Sequence, residues 1–168
     1  GSTQSMINRA SGFLSALAAP CSAGGGLRYE PGTAVDPSAS AQGMLGIADF
    51  LPVPDAPKLA ADPRCSSRTA DRVASYLTRT LNANRGLLPS AMGGGPNVTD
   101  SVNAVLGLVA MGAGRQAVDR TMAALRARTQ TFAKKDGAAV PAALGLLLMA
   151  AHATGANPRD FGGLNLVT

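Results

Sequence analysis

Few side chains in this sequence have the type and spacing that catalysis or metal binding needs. Asp36 and Asp100 each stand where an apolar helical run begins. A carboxylate there could act as a general acid, but it is equally the group that accepts the unpaired N–H bonds of a helix N-terminus, and capping is the simpler role for both. Cys21 and Cys65 lie in loop-like sequence, and His152, the only histidine, is far along the chain in an apolar run. Two thiols at that separation cannot build a zinc site by themselves, so no metal centre is expected. A disulfide between Cys21 and Cys65 is the better use of them, and it implies an oxidising compartment and hence export. His152 is placed near a helix C-terminus, where the dipole favours a cation and a lone histidine serves as a packing or capping residue. The run Gly93-Gly94-Gly95 follows no strand, which excludes a dinucleotide or P-loop fingerprint. No nucleophile constellation emerges.

The elements that must carry these residues are helices. A chain of 168 residues suits one domain with a real core, and that core is built mainly from small residues: there is no Trp, and aromatics amount to two Tyr and four Phe. Met6, Ile7, Ala10, Phe13, Leu14 and Leu17 recur at helical intervals, as do Val73, Tyr76, Leu77 and Leu81, and again Val118, Met122, Leu125 and Phe132. These three segments have a wet face and are expected as outer helices. Ser38 to Phe50, Thr99 to Met111 and Ala138 to Ala153 are apolar on nearly every side and are expected as inner, covered helices. Strand patterning is absent. The net charge of +5 comes mostly from arginines scattered over the outer segments without interleaved aromatics, so a solvated basic face is expected and a nucleic-acid partner is not. The apolar stretch from Gly137 to Ala153 is too short to span a bilayer. Gly1-Ser2 reads as a cloning remnant ahead of a mature start.

The inner segments repeat one another. Ser40-Ala41-Gln42-Gly43-Met44-Leu45-Gly46-Ile47 aligns without a gap on Ser101 through Leu108, and Leu144-Gly145-Leu146 matches the last three positions. Upstream, Gly26-Leu27 precedes Ser40 much as Gly86-Leu87 precedes Ser101. The expected organisation is three helical hairpins at about 4–50, 66–112 and 114–155, with a loop-like tail over 156–168. A glycine recurring at one register of a buried helix predicts close helix approach there. Asp36-Pro37 and Asn97 to Asp100 offer helix caps, and Gly155, followed by Pro158, offers a helix stop.

Gly86-Leu87, Asp100-Ser101, Leu106-Gly107-Leu108, Lys135-Asp136-Gly137 and the run from Met149 through His152 to Gly163 resemble the α/α toroid repeats of the prenyltransferase and squalene-cyclase type, in the form found in exported actinobacterial proteins. The likeness covers about residues 70 to 168 best. It implies an all-α fold in which inner helices surround a central cavity, a barrel similar to that of the animal cobalamin carriers. Three hairpins are about half of such a toroid. Further repeats in a longer chain, or a second copy in a homodimer, would then complete it; the alternative is a compact bundle. Cyclase chemistry would need an acid cluster and a cavity lined with aromatic rings, and neither is present. The expectation is therefore a non-catalytic, secreted or cell-surface domain without cofactor. It would bind a hydrophobic small molecule or a protein on its inner-helix surface, with Tyr29, Gln42, Asn103 and His152 as candidate contacts. A fragment of a terpenoid-processing enzyme and a cell-surface structural or oligomerisation module are the alternatives.

Overall fold

The computed structural model describes residues 3–48 and 58–167. Six helices carry the fold: α1 (Thr3–Leu17), α2 (Pro37–Ile47), α3 (Thr69–Ala83), α4 (Val98–Ala110), α5 (Arg115–Ala133) and α6 (Pro141–Thr154). Their ends obey local chemistry. Asp36 caps α2, its carboxylate accepting the Ala39 N–H at 2.6 Å, with Pro37 in the first turn where no N–H is needed. Asn97 caps α4 by accepting the Asp100 N–H at 3.0 Å. Gly155 ends α6 in the left-handed conformation. Phe50, the expected end of the first inner helix, lies outside the described residues.

Two rows of helices enclose the core. In one, α4 packs between α2 and α6; in the other, α3 packs against α5, while α3 also touches α2 and α5 touches α4 and α6. Leu77, Leu81, Val102, Val105, Leu108, Leu125 and Leu147 fill the space between the rows and are fully buried or nearly so. Among the described residues the fold is thus all-α apart from two short ladders and isolated bridges. β1 (Leu88–Pro89) pairs with β2 (Pro96–Asn97), and β3 (Lys134–Lys135) with β4 (Ala138–Ala139). Two-residue strands are too short to leave an alternating pattern. The second ladder nonetheless has a sequence signal, because Asp136-Gly137 is a two-residue hairpin turn with both φ angles positive, at 52° and 80°.

The sequence repeat reappears in the hydrogen bonding. Ser40 Oγ accepts the Leu27 N–H at 2.8 Å and donates to the Asp36 carbonyl at 2.7 Å. Ser101 Oγ accepts the Leu88 N–H at 2.9 Å and donates to the Asn97 carbonyl at 2.6 Å. In both α2 and α4 a buried serine in the first turn ties the helix to the chain entering it, across 13 residues. This moves the upstream register by one residue: Leu27 corresponds to Leu88 and Gly25 to Gly86. A Cβ on Gly25 would come 2.6 Å from the Arg72 carbonyl oxygen of α3, and one on Gly86 would come 2.5 Å from that of Arg120 on α5. Each glycine lies where a later helix passes, α3 over Gly25 and α5 over Gly86. Ser101→Ala leaves the buried Leu88 N–H without its acceptor, so a loss of about 1–3 kcal/mol in unfolding free energy is expected. Urea titration measures the loss, and faster amide exchange at Leu88 localises it.

Three expectations are corrected. The Leu-Gly-[Ile/Leu] triplet is not one contact point. Gly107 does meet α2 closely, since a Cβ there would lie 2.6 Å from Met44 Cγ, but Gly46 and Gly145 are exposed. Gly46 and Gly107 each stand ten residues beyond their N-caps, whereas Gly145 stands five beyond Val140, and Ala150 holds the matching place. The apolar stripe of α1 is also mostly uncovered: Met6, Ile7 and Phe13 are 55%, 49% and 61% exposed, and only Leu17 is buried. Helical periodicity shows that a stripe exists and not that a neighbour reaches it. Finally, of the three helices expected to be covered only α4 is covered nearly all round, because α2 and α6 flank it in the row.

The Cys21–Cys65 disulfide is formed, with the Cα atoms 5.8 Å apart. It joins the connection between α1 and α2 to the segment that leads into α3. Tyr76 of α3 lies over Gly26, whose added Cβ would come 2.7 Å from the ring. Burial pushes the Tyr76 phenol above its usual value of 10.0, and the Asp36 carboxylate adds to the shift. Among the described residues no helix is long and apolar enough to cross a membrane.

Candidate functional site

Among the described residues, α2, α4 and α6 form a row packed on α3 and α5, and each carries positions that these neighbours do not cover. On α4 the less buried positions are Val98 at the first turn and Thr99, Asn103 and Ala110, the last three spaced as one helical stripe. On α2 they include Gln42 and Gly46, both exposed. α6 turns Ala142, Gly145, Met149 and His152 away from α4 and α5, again at helical spacing, with Met149 46% exposed. Small residues dominate these stripes. The open surfaces are therefore smooth and weakly polar, which explains why all three helices look apolar all round in sequence.

At the edge of this face a buried carboxylate organises the helix starts. Asp100 is 3% exposed and occupies the third position of α4, so Asn97 and not Asp100 is the cap. One Asp100 oxygen accepts Asn97 Nδ2–H at 2.6 Å, and the other accepts Gln42 Nε2–H at 3.3 Å from α2. This reciprocal arrangement resembles a capping box made through side chains, and it also bridges two inner helices. Two of the candidate residues, Gln42 and Asp100, are thus brought together. Asp36 is engaged with its own helix start. Tyr29 is 75% exposed on the loop between α1 and α2, and His152 is exposed in the last turn of α6. No hydrogen bond joins either of them to the Asp100 group. Among the described residues no group of three or more His, Cys, Asp or Glu side chains could hold a metal ion.

A concavity lies elsewhere, on α5. An open groove of about 840 Å³ runs along α5, bounded by the C-terminal ends of α4 and α6 and by Lys58-Leu59. Its α5 side consists of Arg115, Val118, Asp119, Met122, Ala123 and Arg126. Those six positions recur at helical spacing, which is legible in the sequence. Val118 and Met122 alone suffice to assign α5 a buried face, which obscures the groove.

Comparison of the chain with protein-family models, with curated proteins and with solved structures returns no match.

Proposed function

We propose that this chain is a non-catalytic domain of α/α hairpin repeats, related in plan to the toroids of the prenyltransferase and squalene-cyclase type. It binds an apolar small molecule or a partner protein on the open face of α2, α4 and α6. Three hairpins supply about half of such a ring. Further repeats or a second copy would complete it, and the disulfide fits a life outside the reducing cytosol. One observation carries the reading. Both candidate acids are committed to holding helix starts, Asp36 through Ala39 and Asp100 through Asn97 and Gln42, while the adjoining stripes offer small residues and an exposed Met149. Carboxylates so engaged build a scaffold and leave the face apolar.

The test is an NMR titration with a neutral apolar probe such as Nile red, paired with incubation with squalene or isoprenoid diphosphates with and without magnesium. Amide shifts should concentrate at Gly46, Ala110, Gly145 and His152, with no turnover. Shifts confined to α5, or a product whose formation is abolished by Asp100→Asn, would overturn the reading.

A further inference from the structure

We propose that the groove along α5 is a binding site for a single-chain amphiphile with a carboxylate head, separate from the open face of the inner row. The first argument is size and shape. A volume of about 840 Å³ lies within the roughly 300–1,000 Å³ typical of small-molecule sites. The stripe from Arg115 to Arg126 covers about 17 Å of helix at about 1.5 Å per residue, giving an elongated trough. Its floor is apolar and recessed: Val118 is 2% exposed, Met122 7%, Val109 2% and Ala153 8%. An extended hydrocarbon chain has the form to reach such a floor.

Charge identifies the head. Lys58, Arg115 and Arg126 line the groove against a single carboxylate, Asp119. Among the described residues the sole ion pair is Arg68 with Asp71, so no described carboxylate lies within 4 Å of Lys58, Arg115 or Arg126, although Asp62 and Asp119 line a neighbouring concavity with Arg115. The three cations are not evenly distributed. Arg115 donates through both Nε and Nη2 to the Leu59 carbonyl, which anchors it to the residue next to Lys58 in sequence, and both cations line the groove. Arg126 stands at the other end of the α5 stripe from Arg115, with its guanidinium 5.3 Å from the centre of the Phe161 ring. The head therefore belongs at Lys58 and Arg115, with the chain lying over Val118 and Met122. A bilayer surface is a poorer occupant, because insertion needs apolar side chains that project. The large exposed hydrophobics among the described residues (Met6, Ile7, Phe13, Tyr29, Met92, Met149 and Val167) all lie outside the groove lining.

The probe is dodecanoate, kept below its micelle-forming concentration and titrated into the intact chain by calorimetry and amide NMR. Dodecanol, dodecyltrimethylammonium and phosphatidylglycerol vesicles are run in parallel. Dodecanoate should bind saturably with shifts at Val118 and Met122, and both the neutral and the cationic chain should bind about tenfold more weakly or worse. Lys58→Glu should weaken dodecanoate about tenfold by reversing one charge at the head, and Ala123→Trp should block the trough. Both residues are exposed, so an unchanged circular dichroism spectrum and melting curve will show that the fold is kept. Equal binding of all three chains, vesicle association as tight as monomer binding, or indifference to both substitutions would overturn the proposal. Because the reporting amides lie on α5, failure here is distinct from failure of the inner-face reading.

Discussion

Replacing Cys21 and Cys65 together by serine is expected to lower the unfolding free energy by about 4 kcal/mol. The bridge spans 44 residues of sequence and encloses the whole of α2. Closing a loop of that size removes unfolded-chain entropy worth about 4 kcal/mol in the chain-entropy treatment. Domains of this size are stable by only about 5–15 kcal/mol, so the change is a large share of the total. A drop in melting temperature on the order of 10 °C should accompany it. The native contacts at the bridge make the effect local as well as global. Gly25 abuts both the Arg72 carbonyl and Cys65 Sγ, so an unbridged chain loses the clamp that seats the α1–α2 connection on α3. Urea titrations of oxidised, reduced and double-serine protein measure the difference, and alkylation of the unreduced protein should modify no thiol. Equal stability of the oxidised and double-serine forms would show that the cross-link adds nothing to the fold.

The second large effect is expected at Phe161. Truncation to alanine should cost about 3–5 kcal/mol, the range for emptying a buried aromatic site. Among the described residues Phe161 is the largest fully buried side chain, although it lies outside every helix. The tail makes this possible by curling on itself and onto α5. Phe161 and Leu164 exchange backbone hydrogen bonds at 2.9 and 3.1 Å, the Leu166 N–H donates to the Pro158 carbonyl at 2.8 Å, and Leu166 is itself buried. Gly162 presses on Thr129 and on the Arg126 carbonyl, where a side chain would collide with the α5 backbone. Arg126 completes the site from above the ring, so Phe161→Ala should also free the guanidinium at one end of the groove. Phe161→Leu, which keeps most of the volume, should cost less than half as much. Denaturant titration of the two variants decides the matter, and a loss below about 1 kcal/mol for Phe161→Ala would mean that the tail is an appendage and not part of the core.

These residues show which parts of the architecture were legible in the chain. The caps at Asp36 and Asn97 and the stop at Gly155 rest on interactions within a few residues, and local sequence states them directly. The Ser40 and Ser101 alignment was visible because the repeated side chains perform the same backbone-tying task in each hairpin. The Leu-Gly triplet misled for the opposite reason. Glycine leaves no side chain to report its surroundings, so Gly107 under Met44 and Gly145 in the open look alike in one dimension.

Taken alone, the sequence determined the helical class, the six helices with their approximate bounds, which serines and glycines recur, and the two thiols available to pair. Those properties follow from periodicity, capping chemistry and steric limits that act over one or two turns. The tertiary structure decided which stripes are covered and which concavities exist. It leaves the apolar face of α1 open, tucks Phe161 beneath α5, joins Gln42 to Asp100 between helices and lines up Lys58 with the cations of α5. Each of these depends on the relative placement of segments tens of residues apart. In a chain built from Ala and Gly, the side chains are too small to reveal which neighbour they meet, and only the packed arrangement supplies it.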